Sequence, residues 1–165
     1  MLLLIHKVEG EPHIIFIKRT SRHPNDKHAG QISFPGGALD PADTNLEACA
    51  MRETMEELGV SKESYTWIGA LTPLYVFVSK FLMYPFVAMT ENTLTFNKED
   101  EEVERVISWP LASFLEKNGV KKTDLTIRNG VMKDVPYFPV SGDILWGATA
   151  MVLNEFLTML RKSSC

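Results

Sequence analysis

Three glutamates lie close together in a stretch that reads RETMEELGV, from Arg52 to Val60. Glu53, Glu56 and Glu57 fall within five residues, and like charges four residues apart on a helix repel by roughly 0.2–0.5 kcal/mol per pair. A helix that crowds them is either solvated on that face or bound to a cation. Carboxylate oxygens are hard ligands that suit Mg²⁺ or Mn²⁺. The spacing predicts a divalent metal site, with a solvated acidic face as the alternative.

A helix must hold these glutamates on one side. Thr44 and Glu47 have capping-box spacing and predict its start, and Gly59 predicts its end. Because successive residues are about 100° apart, the apolar side chains form a separate face, which we expect to pack on a sheet. They are Ala48, Met51, Met55 and Leu58. The small residues Cys49 and Ala50 share the glutamate side, which indicates that another backbone segment packs there.

A double glycine before this helix adds a possible backbone ligand. A brief strand in QISF ends at Pro35, and Gly36 and Gly37 allow the backbone to turn tightly or to approach a ligand. This arrangement can bring the Gly36 carbonyl oxygen near the carboxylates. We interpret Asp43, at the start of the helix, as a carboxylate that interacts with the positive end of the helix dipole.

The composition limits the classes of function. The chain has 165 residues, 45% of them apolar, so we expect one domain with a substantial core. Its net charge of -4 disfavours nucleic acid or an acidic membrane as a partner. Cys49 and Cys165 form no CxxC pattern, so we expect no disulfide or zinc site and predict a cytoplasmic location. The opening MLLLIH is too short for a signal or membrane-spanning segment, and we expect the natural chain to have residues before Met1.

Short strands alternate with two clear helices, a pattern typical of an α/β domain. The predicted hairpins are residues 2–7 with 13–19, and a second one around Asn129 and Gly130. Further strands are predicted in YTWIGAL, FLMYPFVAM and EVERVISW, with a short helix in PLASFLE. A last helix is predicted from about Leu145 to Arg161, with an apolar stripe along one side.

The stretch GGALDPADTNLEACAMRETMEELGV, residues 36–60, resembles the signature box of the Nudix hydrolases. The residues that match this box are Gly37, Arg52, Glu53, Glu56, Glu57, Gly59 and Val60. Asp43 stands in place of the first glutamate, eight residues instead of seven separate it from Arg52, and Thr54 takes an apolar position. The first two departures are shared by the coenzyme A pyrophosphatase-like branch of the family.

A second stretch resembles the same branch. FIKRTSRHPNDKHAGQISFPGG matches it from His28 to Gly37 and at Arg19, although its loop is longer and NDKH replaces the expected Arg-His-His. Further similarity in DEEVERVISWPLASFL and VPYFPVSGDILWGATA extends the resemblance over nearly the whole chain.

The resemblance implies a single Nudix domain over residues 1–165, folded as an α/β/α sandwich with a mixed β-sheet. It also implies that Mg²⁺ or Mn²⁺ assists hydrolysis of a nucleoside diphosphate linked to another group. The implied metal ligands are Glu53, Glu56, Glu57 and the carbonyl of Gly36. Arg52 would pair with a box glutamate and fix its rotamer. The general base stays open between Glu53 and Glu102, with Glu101 as the neighbouring alternative, and the acidic stretch NKEDEEVER could equally be a solvated turn.

Local positive charge must capture an anionic substrate because the chain as a whole is acidic. The implied contacts are Arg19 and His28, from a basic group that includes Lys18, Arg22 and Lys27, and the further candidates are Gly30, Gln31 and Gly37. The resemblance implies cleavage of coenzyme A, or a derivative, to 3',5'-ADP and 4'-phosphopantetheine. The altered loop leaves ADP-ribose, NADH or a nucleoside triphosphate as alternative substrates, and a non-catalytic nucleotide sensor as another class. A homodimer is a further expectation.

Overall fold

The computed structural model describes residues 1–20, 29–77, 79–116, 119–127 and 130–163. The helices are α1 (Leu46–Leu58), α2 (Ala112–Leu115) and α3 (Gly147–Ser163). The strands are β1 (Leu2–Val8), β2 (Glu11–Arg19), β3 (Ile32–Ser33), β4 (Thr66–Ala70), β5 (Leu74–Val76), β6 (Phe81–Met83), β7 (Phe86–Met89), β8 (Val103–Pro110), β9 (Lys121–Ile127), β10 (Gly130–Val140) and β11 (Asp143–Trp146). No helix of these described ranges is long and apolar enough to cross a membrane.

The largest sheet of the described chain has six strands, in the order β3-β2-β1-β7-β4 with β8 also paired to β2. β1 and β7 are parallel, whereas the other pairs are antiparallel, so the sheet is mixed. Side chains alternate across it: Leu3 packs in one cluster with α3, while Leu2 and Leu4 pack in the other with α1. The predicted α/β/α sandwich with a mixed sheet is therefore confirmed.

The predicted β1–β2 hairpin is confirmed, with Leu4 opposite Ile15. FLMYPFVAM holds two strands instead of one, because β6 ends before Pro85 and β7 begins after it. The last helix starts at Gly147, later than predicted, since Trp146 belongs to β11 and pairs with Tyr137. β9 and β10 form the second predicted hairpin, although Asn129 lies outside the described residues.

Helix α1 begins one residue later than its capping-box pattern predicts. Asn45, not Thr44, is the N-cap, because its Oδ1 accepts a hydrogen bond of 2.7 Å from the Ala48 N–H. Asparagine ranks with serine and aspartate as the best residue at this position. Gly59 ends the helix as predicted: it adopts φ 68°, and its N–H donates to the Met55 carbonyl.

The predicted apolar face of α1 is wrong in one important respect. Met55 is 51% exposed, whereas Glu57 is only 2% exposed. The buried residues of the helix are Cys49, Ala50, Thr54, Glu57 and Leu58. The reason is that chain segments cover the glutamate side: Asn97 N–H donates to the Leu58 carbonyl at 2.8 Å, and the Cys49 thiol lies 3.4 Å from the Ala38 carbonyl oxygen. The prediction that another backbone segment packs beside Cys49 and Ala50 agrees with that second contact.

Candidate active site

A cleft of about 540 Å³ opens where the loop after β3, helix α1 and the segment before β8 meet. The described residues that line it are Arg19, Gly36, Gly37, Ala38, Arg52, Glu53, Glu56, Glu57, Glu99, Glu101 and Glu102. Six of these residues are glutamates and two are arginines. Because carboxylates outnumber guanidinium groups, the cleft has an excess of negative charge that a bound cation would offset.

Glu57 is the most buried of these acids. Its Oε2 accepts a hydrogen bond of 2.8 Å from the Gly36 N–H, and its Oε1 lies 3.9 Å from Nη1 of Arg19. Burial raises the pKa of Glu57 to about 8, with Glu53 and Glu102 adding to the rise, while Gly36 and Arg19 oppose it. The protein alone therefore does not compensate the ionised form of this carboxylate fully.

Glu53 lies against the glycine loop. A Cβ atom placed on Gly37 would be 2.4 Å from Oε1 of Glu53, so only glycine allows the loop and this carboxylate to approach so closely. Burial raises the pKa of Glu53 above its ordinary value, and Arg52 opposes that rise. The double glycine thus brings the backbone next to Glu53 and Glu57, where the Gly36 N–H donates to Glu57, and the approach of the Gly36 carbonyl stays a prediction.

Arg52 joins the acids of α1 to the loop before it. Its Nε and Nη2 contact the two carboxylate oxygens of Asp43 at 3.0 and 2.9 Å. Its Nη1 contacts Glu53 at 2.9 Å and Glu56 at 2.8 Å, and its Nη2 also donates to the Ala38 carbonyl. One planar guanidinium therefore orients three carboxylates, a geometry that a lysine cannot reproduce.

Asp43 has a different role from the one that its position before the helix indicates. Asn45 caps α1, whereas the Asp43 side chain is 4% exposed and accepts both contacts from Arg52. Arg52 is the main cause that lowers the pKa of Asp43 to about 2, so this carboxylate stays ionised over the physiological range. Asn45 and not Asp43 is therefore the N-cap, since its Oδ1 accepts from the Ala48 N–H, while Arg52 contacts both carboxylate oxygens of Asp43.

The segment before β8 contributes the other wall of the cleft. Glu102 and its alternative Glu101 both line it, and the negative charge of Glu102 contributes to the raised pKa of Glu53 and of Glu57. Sequence reasoning missed Glu99, whose N–H donates to the Glu57 carbonyl at 3.3 Å. The acidic stretch NKEDEEVER was the only pattern that could have indicated Glu99, but it contains too many neighbouring acids to show which of them face the cleft.

The substrate-binding candidates are only partly brought together. Arg19 lines the cleft, and its backbone bonds to Gly30 and Gln31: the Gly30 N–H donates to the Arg19 carbonyl, and the Arg19 N–H donates to the Gln31 carbonyl. Gly30 and Gln31 are not among the described lining residues. His28 lies outside the described residues. Lys18, from the same basic group, forms ion pairs with Asp143 and Glu104.

The donor set of the cleft fits a hard divalent cation. Within the part of the chain that the structure describes, no three side chains of His, Cys, Asp or Glu already surround one point. The acids do supply the oxygen ligands that Mg²⁺ and Mn²⁺ prefer, and burial raises the pKa of Glu57 more than the guanidinium of Arg19, 3.9 Å away, lowers it. Glu56, with a side chain that is 56% exposed, has room to change rotamer.

A family model described as the NUDIX domain matches residues 2–129. The chain belongs to the Nudix hydrolase family. This Nudix protein is accordingly an enzyme that hydrolyses phosphoanhydride bonds in small nucleotide substrates. Members of the family generally use divalent metal ions. The predicted family and reaction class are confirmed.

Two curated relatives show how far the similarity extends. The Nudix hydrolase is 33% identical over 163 residues to the human "Mitochondrial coenzyme A diphosphatase NUDT8". The aligned region covers 97% of this chain and 67% of the relative. It is 33% identical over 146 residues to the "Uncharacterized Nudix hydrolase NudL" of Citrobacter koseri, with 88% of this chain and 74% of the relative covered.

A solved structure supports the fold alone. The NUDIX domain of NrtR from Shewanella oneidensis, solved in complex with ADP ribose, superimposes with a TM-score of 0.60 at 16% identity. The match covers 96% of this chain and 84% of that one. The Nudix hydrolase therefore shares its architecture with proteins whose sequences have diverged widely.

Proposed function

We propose that this Nudix hydrolase cleaves the diphosphate of coenzyme A, or of a coenzyme A derivative, to 3',5'-ADP and 4'-phosphopantetheine or its acyl form. The observation that carries the reaction class is the buried, undercompensated Glu57 within a cleft of six glutamates and two arginines. The substrate is supported by the likeness of nearly the whole chain to a coenzyme A diphosphatase and by the matching stretch up to Gly37.

The proposed metal ligands are the carboxylates of Glu53, Glu56 and Glu57 with the carbonyl of Gly36. When bound, Mg²⁺ or Mn²⁺ supplies positive charge for the diphosphate oxygens and makes a neighbouring water a stronger acid. Arg52 holds Glu53 and Glu56 in place through Nη1 while its other nitrogens are fixed by Asp43. The cleft residues are thereby positioned before substrate arrives, which reduces reorganisation during the reaction.

The reaction requires a base, an attacking water and a bound anion. A water oxygen attacks one phosphorus, the bridging P–O bond breaks, and the bridging oxygen leaves with the other phosphate. Glu53 or Glu102 accepts the proton of that water, since both carboxylates belong to the cleft. Arg19, whose side chain is 28% exposed at the edge of the cleft, binds the phosphate oxygens of the substrate together with Gly37, while Gly30 and Gln31 hold the Arg19 backbone in place.

A second substrate class is favoured by one specific observation. The stretch NDKH, residues 25–28, departs from the pattern associated with coenzyme A up to His28, where the matching residues begin. ADP-ribose, NADH or a nucleoside triphosphate is therefore the alternative substrate of the same site. A non-catalytic sensor is disfavoured because Arg52 and its glutamates are all present and in contact.

A substrate panel distinguishes these functions. The protein is incubated with coenzyme A, acetyl-coenzyme A, ADP-ribose, NADH and ATP, with Mg²⁺, with Mn²⁺ or with EDTA, and products are identified by mass. We expect 3',5'-ADP from coenzyme A only when metal is present. Glu57→Gln should abolish turnover, while Glu47→Gln, on the exposed first turn of α1, should leave it unchanged. A preference for ADP-ribose would replace the coenzyme A proposal, and turnover of no substrate would favour the sensor.

The cytoplasmic location and the homodimer stay predictions. Sedimentation of the purified protein tests the homodimer, which would have twice the mass of the single chain; that single-chain mass is 18.6 kDa.

A further inference from the structure

His6 forms a buried polar cluster on the α1 face of the sheet, outside the cleft. The residue is 2% exposed. Its Nδ1 accepts a hydrogen bond of 3.2 Å from the Leu94 N–H, and its Nε2 lies 2.6 Å from Oγ of Ser108. Since Nδ1 accepts a backbone N–H, it carries no proton; the proton of the neutral ring is on Nε2, which donates to the serine.

Leu94 belongs to the segment of residues 90–102, which connects β7 to β8 without helix or strand. This segment carries Glu99, Glu101 and Glu102 into the cleft. Its first part is bonded to β1, where the Thr90 N–H donates to the Ile5 carbonyl. Its last part is bonded to α1 through Asn97 and Glu99, and the Thr20 N–H donates to the Glu102 carbonyl, so the middle of the segment joins these bonds to the bond with β1.

The middle of the segment is held to β1 at two neighbouring residues: the Thr93 hydroxyl donates to the Lys7 carbonyl at 2.8 Å, and the Leu94 N–H donates to His6. The side chains of Leu94 and Phe96 pack on the hydrophobic cluster shared by β1 and α1, and the Phe96 ring meets His6 edge-on at 5.7 Å between centroids. Apolar packing has no fixed direction, whereas a hydrogen bond to a ring nitrogen fixes the position of one backbone amide.

We propose that His6 is a positioning residue, whose Nδ1 fixes the Leu94 amide and thereby places the acidic wall formed by Glu99, Glu101 and Glu102. The effect on turnover rests on the proposed function, but the effect on the segment does not. His6 itself is not among the described residues that line the cleft.

The bond depends on the neutral ring. An imidazolium has two N–H donors and no acceptor, so protonation removes the partner of the Leu94 amide. Among the described groups that face the ring, His13 on β2 is titratable, at 6.2 Å between ring centroids, whereas Ser108 on β8 and the apolar Leu94 and Phe96 carry no charge. Burial, and secondly His13, lowers the pKa of His6, which keeps the acceptor available.

Two substitutions separate the acceptor from the rest of the ring. In His6→Asn, the side-chain oxygen takes the place of Nδ1 and can still accept from Leu94. In His6→Gln, the longer side chain reaches towards Ser108 and leaves Leu94 without its acceptor. His13→Gln is the matched control, since His13 is half-buried beside the same cluster and its described hydrogen bond is to the Glu11 carbonyl.

Amide hydrogen exchange of the full chain, without metal, measures the effect directly. We expect His6→Gln to reduce protection of residues 94–102 by about tenfold, in line with the loss of one buried hydrogen bond. His6→Asn and His13→Gln should stay within about twofold of the parent. On acidification, the parent should lose protection at Leu94 as His6 becomes protonated, and His6→Asn should not. Turnover of the best substrate should fall in His6→Gln and recover in His6→Asn.

Equal protection of residues 94–102 in the parent and in His6→Gln would overturn the proposal. Equal losses in the Asn and Gln variants, or unfolding of both, would also overturn it, because the acceptor would then make no difference. If the parent turns over no substrate, the proposed function fails, but the exchange comparison still decides the role of His6.

Discussion

The Gly36 N–H donates to Oε2 of Glu57 across 2.8 Å, and this bond links the glycine loop to the buried side of α1. It uses one oxygen of a carboxylate that is 2% exposed, while the other oxygen is 3.9 Å from Arg19. The metal-free enzyme therefore holds an acid whose ionisation is opposed by its surroundings. Stability and catalysis make different demands on this residue, because the charge that binds a cation is the charge that burial disfavours.

The pH dependence of stability should show this conflict. The pKa of Glu57 is raised to about 8 in the metal-free folded chain, against about 4.3 for an unfolded glutamate. The folded state keeps a proton that the unfolded state releases, so Glu57 makes the free energy of unfolding fall as the pH rises from about 4.3 to about 8. Above that range its effect no longer changes.

Glu57→Gln should remove this decline, because glutamine keeps an acceptor for Gly36 but does not ionise. In urea unfolding with EDTA, we expect the variant to be more stable than the parent at pH 8 and similar to it at pH 4. Glu47→Gln, on the exposed first turn, should follow the parent at both values. A parent that is at least as stable as Glu57→Gln at pH 8 would contradict the prediction.

Gly37→Ala should impair activity with little change in stability. The added Cβ would lie 2.4 Å from Oε1 of Glu53, and the flexible carboxylate can turn away without moving the backbone. We expect kcat to fall by about tenfold or more, since a displaced ligand or base costs transition-state stabilisation. Gly69→Ala on β4 is the matched control, because its Cβ would meet nothing within 4 Å. Equal kcat values for the two variants would show that Glu53 is not constrained by the loop.

Arg52→Lys should test whether the planar fork matters or only its charge. Lysine cannot contact both oxygens of Asp43 while also reaching Glu53 and Glu56, so the carboxylates lose their common anchor. We expect kcat to fall by about tenfold or more and the requirement for metal to shift to higher concentration. Titration of activity with Mg²⁺ measures both effects. A lysine variant with the same metal dependence as the parent would show that only the positive charge of Arg52 matters, and not its planar geometry.

Gly59→Ala should destabilise the fold more than Gly10→Ala. Both glycines have positive φ, 68° and 86°, where a side chain costs about 1–2 kcal/mol. At Gly59 the new Cβ would also lie 2.9 Å from the backbone oxygen of Asn97, whereas Gly10 has open space. Thermal unfolding should therefore show a larger loss of stability for Gly59→Ala. Its activity should also fall, because Asn97 lies just before the acidic wall formed by Glu99, Glu101 and Glu102. Similar losses in the two variants would indicate that backbone conformation alone decides them.

The sequence predicts the cleft well because its main signals are local. Three of the six glutamates, together with Arg52 and Gly37, lie within one helix and the loop before it, so spacing alone brings them near one another. Helical periodicity predicted the wrong exposure for Glu57, which is buried. The pattern places charged side chains towards solvent, because it contains no information about the chain segments that cover the helix. Contacts between distant parts of the chain, such as Leu94 with His6, leave no local pattern that could be recognised.

The Asp43–Arg52 pair combines a short acid with a long spacing before the arginine. Aspartate has one methylene less than the glutamate expected at this point of the pattern, and the loop has one residue more before the arginine. In this loop Oδ1 of Asp43 lies 3.0 Å from Nε of Arg52. We expect that lengthening the acid or shortening the loop alone would disturb the contact with Arg52, and that making both changes together would disturb it less. Anyone who redesigns this turn should therefore treat the acid and the loop length as coupled.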